Sequence, residues 1–221
     1  MINIPEIILY NHLEYFLQYI RKDLIETTDE RKTFLYQILN GIELKKLGLN
    51  YYTEAKDIFL RDRTHPRCLE IRMFFDADRA AIPTIHINLP SEQAYQDGLG
   101  VDTGYQENIV DTTGETYYET HTRTFNSTYQ IIVSSDNTNE VIIIYNVLKA
   151  FLIAILDLID LAGLRNLKLG GGDLQLNPEI VPPHIFIRAL TLNCFIEMTV
   201  PTTIKNKIIK DIELGSTTPH I

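Results

Sequence analysis

A chain of 221 residues, 45% of them hydrophobic, is long enough to bury a core without staples and too apolar to be disordered. Its formal net charge of −9 excludes general affinity for nucleic acid, which needs a basic footprint. Two cysteines make no disulfide framework, and the longest uninterrupted apolar run, Ala150 to Leu156, is far below the ~20 residues of a bilayer span.

The opening stretch, MINIPEIILYNHLEYF, has neither a basic leader region nor a small-residue cleavage site, so it does not read as a signal peptide. Pro5 suits a first helical turn, with Asn3 as its cap. Leu9, Leu13, Phe16, Leu17, Ile20 and Leu24 then make one apolar face, opposite Asn11, Glu14, Gln18, Arg21 and Lys22. The spacing predicts an amphipathic helix ending near Ile25. Thr27 with Glu30 resembles a capping box for a short helix that buries Phe34, Leu35, Ile38 and Leu39 and stops at Asn40-Gly41. Residues 42–52 are ambiguous, with Lys45 and Lys46 solvated.

From Glu54 the period changes. Ala55 to Leu60 reads as a strand. Cys68 to Phe75 alternates Glu70 and Arg72 against Leu69, Ile71 and Met73, and Thr84 to Leu89 follows after a turn, ended by Pro90. These are expected to form a hairpin or meander. Cys68 and Cys194 each lie in an apolar strand-like run and are expected to be buried thiols of a protein made in a reducing compartment.

Residues 91–119 carry Glu92, Asp97, Asp102, Glu107, Asp111, Glu115 and Glu119 and no Lys or Arg. The remainder of the chain is nearly balanced, so most of the net charge belongs to this one segment. It is longer than an ordinary connection and is expected to be a projecting acidic hairpin or arm inserted in a single domain over 1–221. A solvated loop is the plainer alternative.

Thr120 to Ser134 alternates cleanly, with Phe125, Tyr129, Ile131 and Val133 on one side. Next comes the stretch the chain is organised around. Val141 to Leu161 is almost continuously apolar, with Asn137 and Glu140 as a capping box and Gly163 as a left-handed cap. This predicts one long central helix of about 24 residues, roughly 36 Å. Its only uncovered stripe is Asn146, Lys149, Ile153, Asp157 and Asp160, which is read as an intersubunit packing face. A core helix of a monomer is the plainer alternative. Residues 164–184 are expected to be a loop carrying Gly170-Gly171-Gly172-Asp173. Ile185 to Val200 reads as a last long strand, with Phe186, Leu190, Leu192, Cys194, Ile196 and Met198 inward and Arg188 where it leaves the core. Residues 202–221 form an extension whose Ile204, Ile208, Ile209 and Ile212 need a cover.

The fold class expected is α+β: an antiparallel-rich mixed sheet with long strands, packed by the central and N-terminal helices. Two strands of about 15 residues would each span roughly 50 Å, against a radius of gyration near 17 Å for a domain of this length. They are expected to bend or to run out past the core, and strand edges left open invite another copy of the chain.

No catalytic signature stands out. The glycine run is not followed by Lys-Ser/Thr or by a helix start, as a phosphate loop would be. No Gly-x-Ser-x-Gly is present. The histidines (His12, His65, His86, His121, His184 and His220) show no metal-ligand spacing. Asp97, Asp102, Glu107 and Asp111 could gather around calcium, without EF-hand spacing. No cofactor and no catalytic residue is expected.

The order of parts over residues 120–201 resembles phage neck proteins of the tail-terminator kind. A long strand ends in SSDNTNEV, the helix IYNVLKAFLIAILDLI follows, then GLRNLKLGGGDL, a proline-rich turn and IFIRALTLNCFIEMTVP. The resemblance implies a non-enzymatic virion protein, made in the bacterial cytoplasm, that forms a homo-oligomeric ring at the head–tail junction. Such a ring joins portal or adaptor to tail proteins, touches no membrane and lets DNA pass transiently and without specificity. The acidic arm would then face the lumen, where a lining that repels phosphate suits passage, or dock on a neighbouring ring. Two rival classes are a small α/β enzyme or nucleotide-binding protein using the glycine loop, and a calcium-stabilised interaction module.

Overall fold

The computed structural model describes residues 4–73, 83–95, 106–110, 117–174 and 185–201. Helix α1 (Pro5–Glu26) begins with Pro5 in its first turn and ends where Thr27 N–H bonds to the Asp23 carbonyl. Leu9, Leu13, Phe16, Leu17 and Ile20 are buried along one face, as their spacing requires. Helix α2 (Phe34–Leu39) is capped by the Thr33 hydroxyl, which accepts from Tyr36 N–H. The cap is therefore Thr33 and not Thr27, which closes α1 instead. Strands β1 (Glu43–Leu44) and β2 (Leu49–Asn50) form a minimal hairpin, with Gly48 at φ 64° closing its turn.

Residues 51–60 are a helix, α3 (Tyr51–Leu60), where the sequence suggested a strand. The Asn50 side chain caps it by accepting from Thr53 N–H, and Ala55, Ile58 and Phe59 turn inward. Ala55-Lys56-Asp57-Ile58-Phe59-Leu60 is too short for its period to choose between the two; the cap decides for helix.

The main sheet holds β3 (Glu70–Met73), β4 (Thr84–Ala94), β5 (Gln106–Val110), β6 (Tyr117–Ser135), β7 (Leu164–Asp173) and β8 (Phe186–Pro201). Its order is β3-β4-β6-β8-β7, with β5 also paired to β6. Three expectations change here. First, β3 and β4 pair in parallel, Glu70 opposite Thr84, so they are neither a hairpin nor a meander. Alternation chooses a strand's face but not its direction. Second, β4 passes through Pro90 by shifting register between Asn88 and Ser91, an irregularity that accommodates the missing N–H. Third, the glycine run is not in a loop. Gly170, Gly171 and Gly172 lie in β7, opposite Thr191, Leu190 and Ala189.

The two long strands pair with each other, from Thr120 opposite Pro201 to Ser135 opposite Phe186. Each also has a neighbour on its other side over most of its length. Neither strand runs out unpaired. Among the described residues, the open edges of the sheet belong to β7, the short β3, β5 and the part of β4 beyond Ile87.

The central helix is two helices. Helix α4 (Thr138–Ala154) stops at Ile155 (φ −111°, ψ 10°), and α5 (Leu156–Leu161) resumes. No Gly or Pro marks the break. Beyond it, Ile159 is fully buried while Leu158 and Leu161 are exposed. Gly163, at φ 110°, turns the chain into β7. Helices α1, α4 and α5 pack on the sheet, and α2 and α3 pack against α1 and α4. Phe16 is the meeting point, 5.7 Å from the ring of Phe59 and 4.7 Å from that of Phe151. Beneath it lie Ile85, Ile87, Tyr129, Ile131, Val133, Leu190, Leu192, Cys194 and Ile196. The sequence placed the inward sets of β6 and β8 on this face; Phe186 and Met198, at the ends of β8, are instead exposed. Both cysteines are free and buried.

Candidate functional site

The densest polar constellation lies where α3, the segment before β3 and the β6–α4 turn converge. Glu140, in the first turn of α4, is 5% exposed. Its Oε1 accepts from Arg61 Nη1 at 2.8 Å, and its Oε2 accepts from Arg67 Nη2 at 2.6 Å and from Ser135 Oγ at 2.7 Å. Arg67 also grips Asp136 through both its terminal nitrogens, at 3.0 and 2.7 Å. Arg61 reaches Asp57 at 2.7 Å. The Asn137 N–H donates to Ser135 Oγ. Glu140 thus helps cap α4 through the serine hydroxyl, not as the direct capping-box partner of Asn137 that the sequence suggested.

Burial alone would push the Glu140 carboxyl up. The hydrogen bonds from Arg67, Ser135 and Arg61 outweigh it and hold the group below its ordinary value. The Arg67 hydrogen bond does the same for Asp136. An open depression of about 660 Å³ lies over this cluster, lined by Arg61, Arg67, Asp136, Asn137, Glu140 and Phe186. A helix N-terminus beside two arginines would ordinarily suit an anion. Here Asp57, Asp136 and Glu140 already take those donors, so the chemistry is that of a tie between distant segments. Nearby, Arg21 donates from Nε to the Phe59 carbonyl and from Nη2 to that of Arg61, both at 3.1 Å. It closes the C-terminal end of α3. Sequence spacing placed Arg21 only on the polar face of α1.

The glycine segment is a tight packing site. A Cβ on Gly171 would meet the Tyr145 hydroxyl and would lie 2.7 Å from the Ala189 carbonyl oxygen. Asp173 accepts from Arg188 Nε at 2.5 Å, and the Arg188 guanidinium lies 5.6 Å from the centre of the Tyr145 ring. In such a strand, paired to β8, successive N–H groups point to opposite sides and do not converge as they do in a phosphate cradle.

The stripe read as an intersubunit face is exposed throughout: Asn146, Lys149, Ile153, Asp157 and Asp160. Asn146 Nδ2 donates to the Ile142 carbonyl at 2.8 Å, and Asp160 Oδ1 accepts from Asn166 N–H at 2.9 Å. The exposed face is wider than the sequence indicated, because Leu158 (58% exposed) and Leu161 (83%) join Ile153 (55%). Leu161, four positions past Asp157, borders the stripe at helical spacing; Leu158 does not, and its exposure lies beyond the break at Ile155.

Of the acidic segment, Glu92 is exposed in β4, Glu107 lies in β5 and Glu119 in β6. Asp97, Asp102, Asp111 and Glu115 lie outside the described residues, so only Glu107 of the proposed calcium cluster is described, and the tail 202–221 lies outside them too. Among the described residues no three His, Cys, Asp or Glu side chains come together as a metal site, and no helix is long and apolar enough to cross a membrane. No protein-family model matches the sequence, and no curated protein matches it.

Proposed function

We propose that this chain is a structural subunit that assembles with copies of itself into a ring, acting at a phage head–tail junction to join portal or adaptor to tail. The observation that carries self-assembly is the uncovered apolar end of the central helices. Ile153, Leu158 and Leu161 stand in solvent, and α5, which carries two of them, packs against β7, an edge strand of the sheet. Neighbouring apolar side chains and an unpaired strand edge are each a surface that another chain covers. The long strands pair within the chain, so assembly falls to this helix face and the β7 edge. The assignment to a neck ring rests on the resemblance over residues 120–201. The acidic segment 91–119 is assigned to the lumen, where its carboxylates repel passing phosphate.

Mass photometry and negative-stain microscopy of the purified protein test the reading. Closed rings are expected, and Leu161→Asp, which alters no core contact, is expected to open them. A monomer or a tight dimer that persists as concentration rises overturns it.

A further inference from the structure

The exposed end of α4 and α5 has a defined chemistry. Ile153, Leu158 and Leu161 are its exposed apolar side chains, and Asp157, Asp160 and Lys149 are exposed on the same two helices. Asp157 makes no ion pair among the described residues. A second surface has the complementary chemistry. The β1–β2 hairpin exposes Ile42 (47%) and Leu44 (40%) beside Lys45 and Lys46. Neither lysine has an ion-pair partner among the described residues, whereas Glu43 is engaged by Asn50 Nδ2 at 3.3 Å. Stable interfaces place apolar side chains centrally with charges at the rim, and opposite rim charges set register and partner choice.

We infer that the α4–α5 end of one copy seats the β1–β2 hairpin of a second copy. Ile42 and Leu44 lie against Ile153, Leu158 and Leu161, while Lys45 and Lys46 face Asp157 and Asp160. The inference rests on the self-assembly proposed above and names its contacts. A contact between two unlike surfaces repeats from copy to copy and closes into a ring where the rotation allows. It also accounts for lysines and leucines clustered on a hairpin too small to hold a core of its own.

Charge reversal in the full-length protein tests this, with mass photometry as readout and circular dichroism as the check on folding. Asp157→Lys alone, and Lys45→Glu with Lys46→Glu, are each expected to weaken assembly roughly tenfold or more by placing like charges together. The three reversals combined are expected to restore it in part, because Asp160 keeps its charge. Wild-type assembly that neither set of reversals disturbs overturns the hairpin contact and leaves the ring reading standing. A wild-type protein that stays monomeric overturns both. Restoration of Asp157→Lys by Lys205→Glu, Lys207→Glu and Lys210→Glu, and not by the hairpin reversals, overturns the hairpin as occupant in favour of the C-terminal segment.

Discussion

Arg67 and Glu140, 73 positions apart in the chain, meet at 2.6 Å with the carboxylate almost wholly removed from water. Together with Arg61 they bind the end of α3 and the start of β3 to the first turn of α4. Removing one partner of a buried pair leaves the other uncompensated, at about 3–5 kcal/mol. Glu140→Ala strands two arginines and a serine, but Arg67 keeps Asp136 and Arg61 keeps Asp57. The expected loss is therefore at the lower end, about 3 kcal/mol. For a chain of this length that lowers Tm by roughly 6–12 °C, measurable by calorimetry. A change within experimental error would show that the cluster contributes no net stability.

The same carboxylates set an acid limit. Glu140 and Asp136 both have folded-state pKa values held below the ordinary ones. Groups depressed in this way contribute stability that is complete above the ordinary carboxylate range, about pH 4, and is lost as pH falls through the folded values. Denaturant unfolding at a series of pH values should show wild type losing stability below about pH 4.5. Glu140→Gln should lose less over that window, so the two curves converge toward low pH. Parallel curves would assign the acid sensitivity elsewhere.

Gly171 and its neighbour Gly172 should respond oppositely to substitution. A side chain at Gly171 meets Tyr145 and the Ala189 backbone, while at Gly172 nothing lies within 4 Å. Gly171→Val is expected to cost about 1–3 kcal/mol or more, because the obstacle includes backbone. Gly172→Ala should fall within about 0.5 kcal/mol of wild type. Equal effects would mean that β7 does not pack against α4 as described. Gly171→Val is accordingly unsuited to probing ligand binding by the glycine run, since it perturbs the fold itself.

Neither thiol should react in the folded state. Cys194 is 1% exposed and Cys68 6%, and burial, aided by Glu92, pushes the Cys194 thiol up to about 11. The thiolate is the reactive form, so alkylation at pH 8 should be negligible for Cys194 until denaturant is added. Rapid labelling of native protein, read by mass spectrometry, would contradict its burial.

Where local pattern decides structure, the sequence was readable. The face of α1 and the inward residues of β6 and β8 follow from periods of 3.6 and 2. Three features depend on partners far along the chain and were not. The parallel sense of β3 against β4 is invisible to alternation. The break at Ile155 has no Gly or Pro to announce it, and with it went the exposure of Leu158. The Arg61–Glu140–Arg67 cluster joins residues whose separation carries no periodic signal. One missed element was legible: Asn50 with the Thr53 N–H is a helix start, and it precedes the stretch that was read as a strand.

The β6–β8 ladder has a kinetic corollary. Its rungs join residues as distant as Thr120 and Pro201, 81 positions apart, with α4, α5 and β7 lying between them in the chain. Chains dominated by such remote pairings fold in roughly milliseconds to seconds rather than microseconds. While the ladder is unformed, two long β-prone segments lie open to the same segments of other nascent chains. Slower synthesis at low temperature, which dilutes that intermediate, should therefore raise the yield of native protein more than any change at its surface.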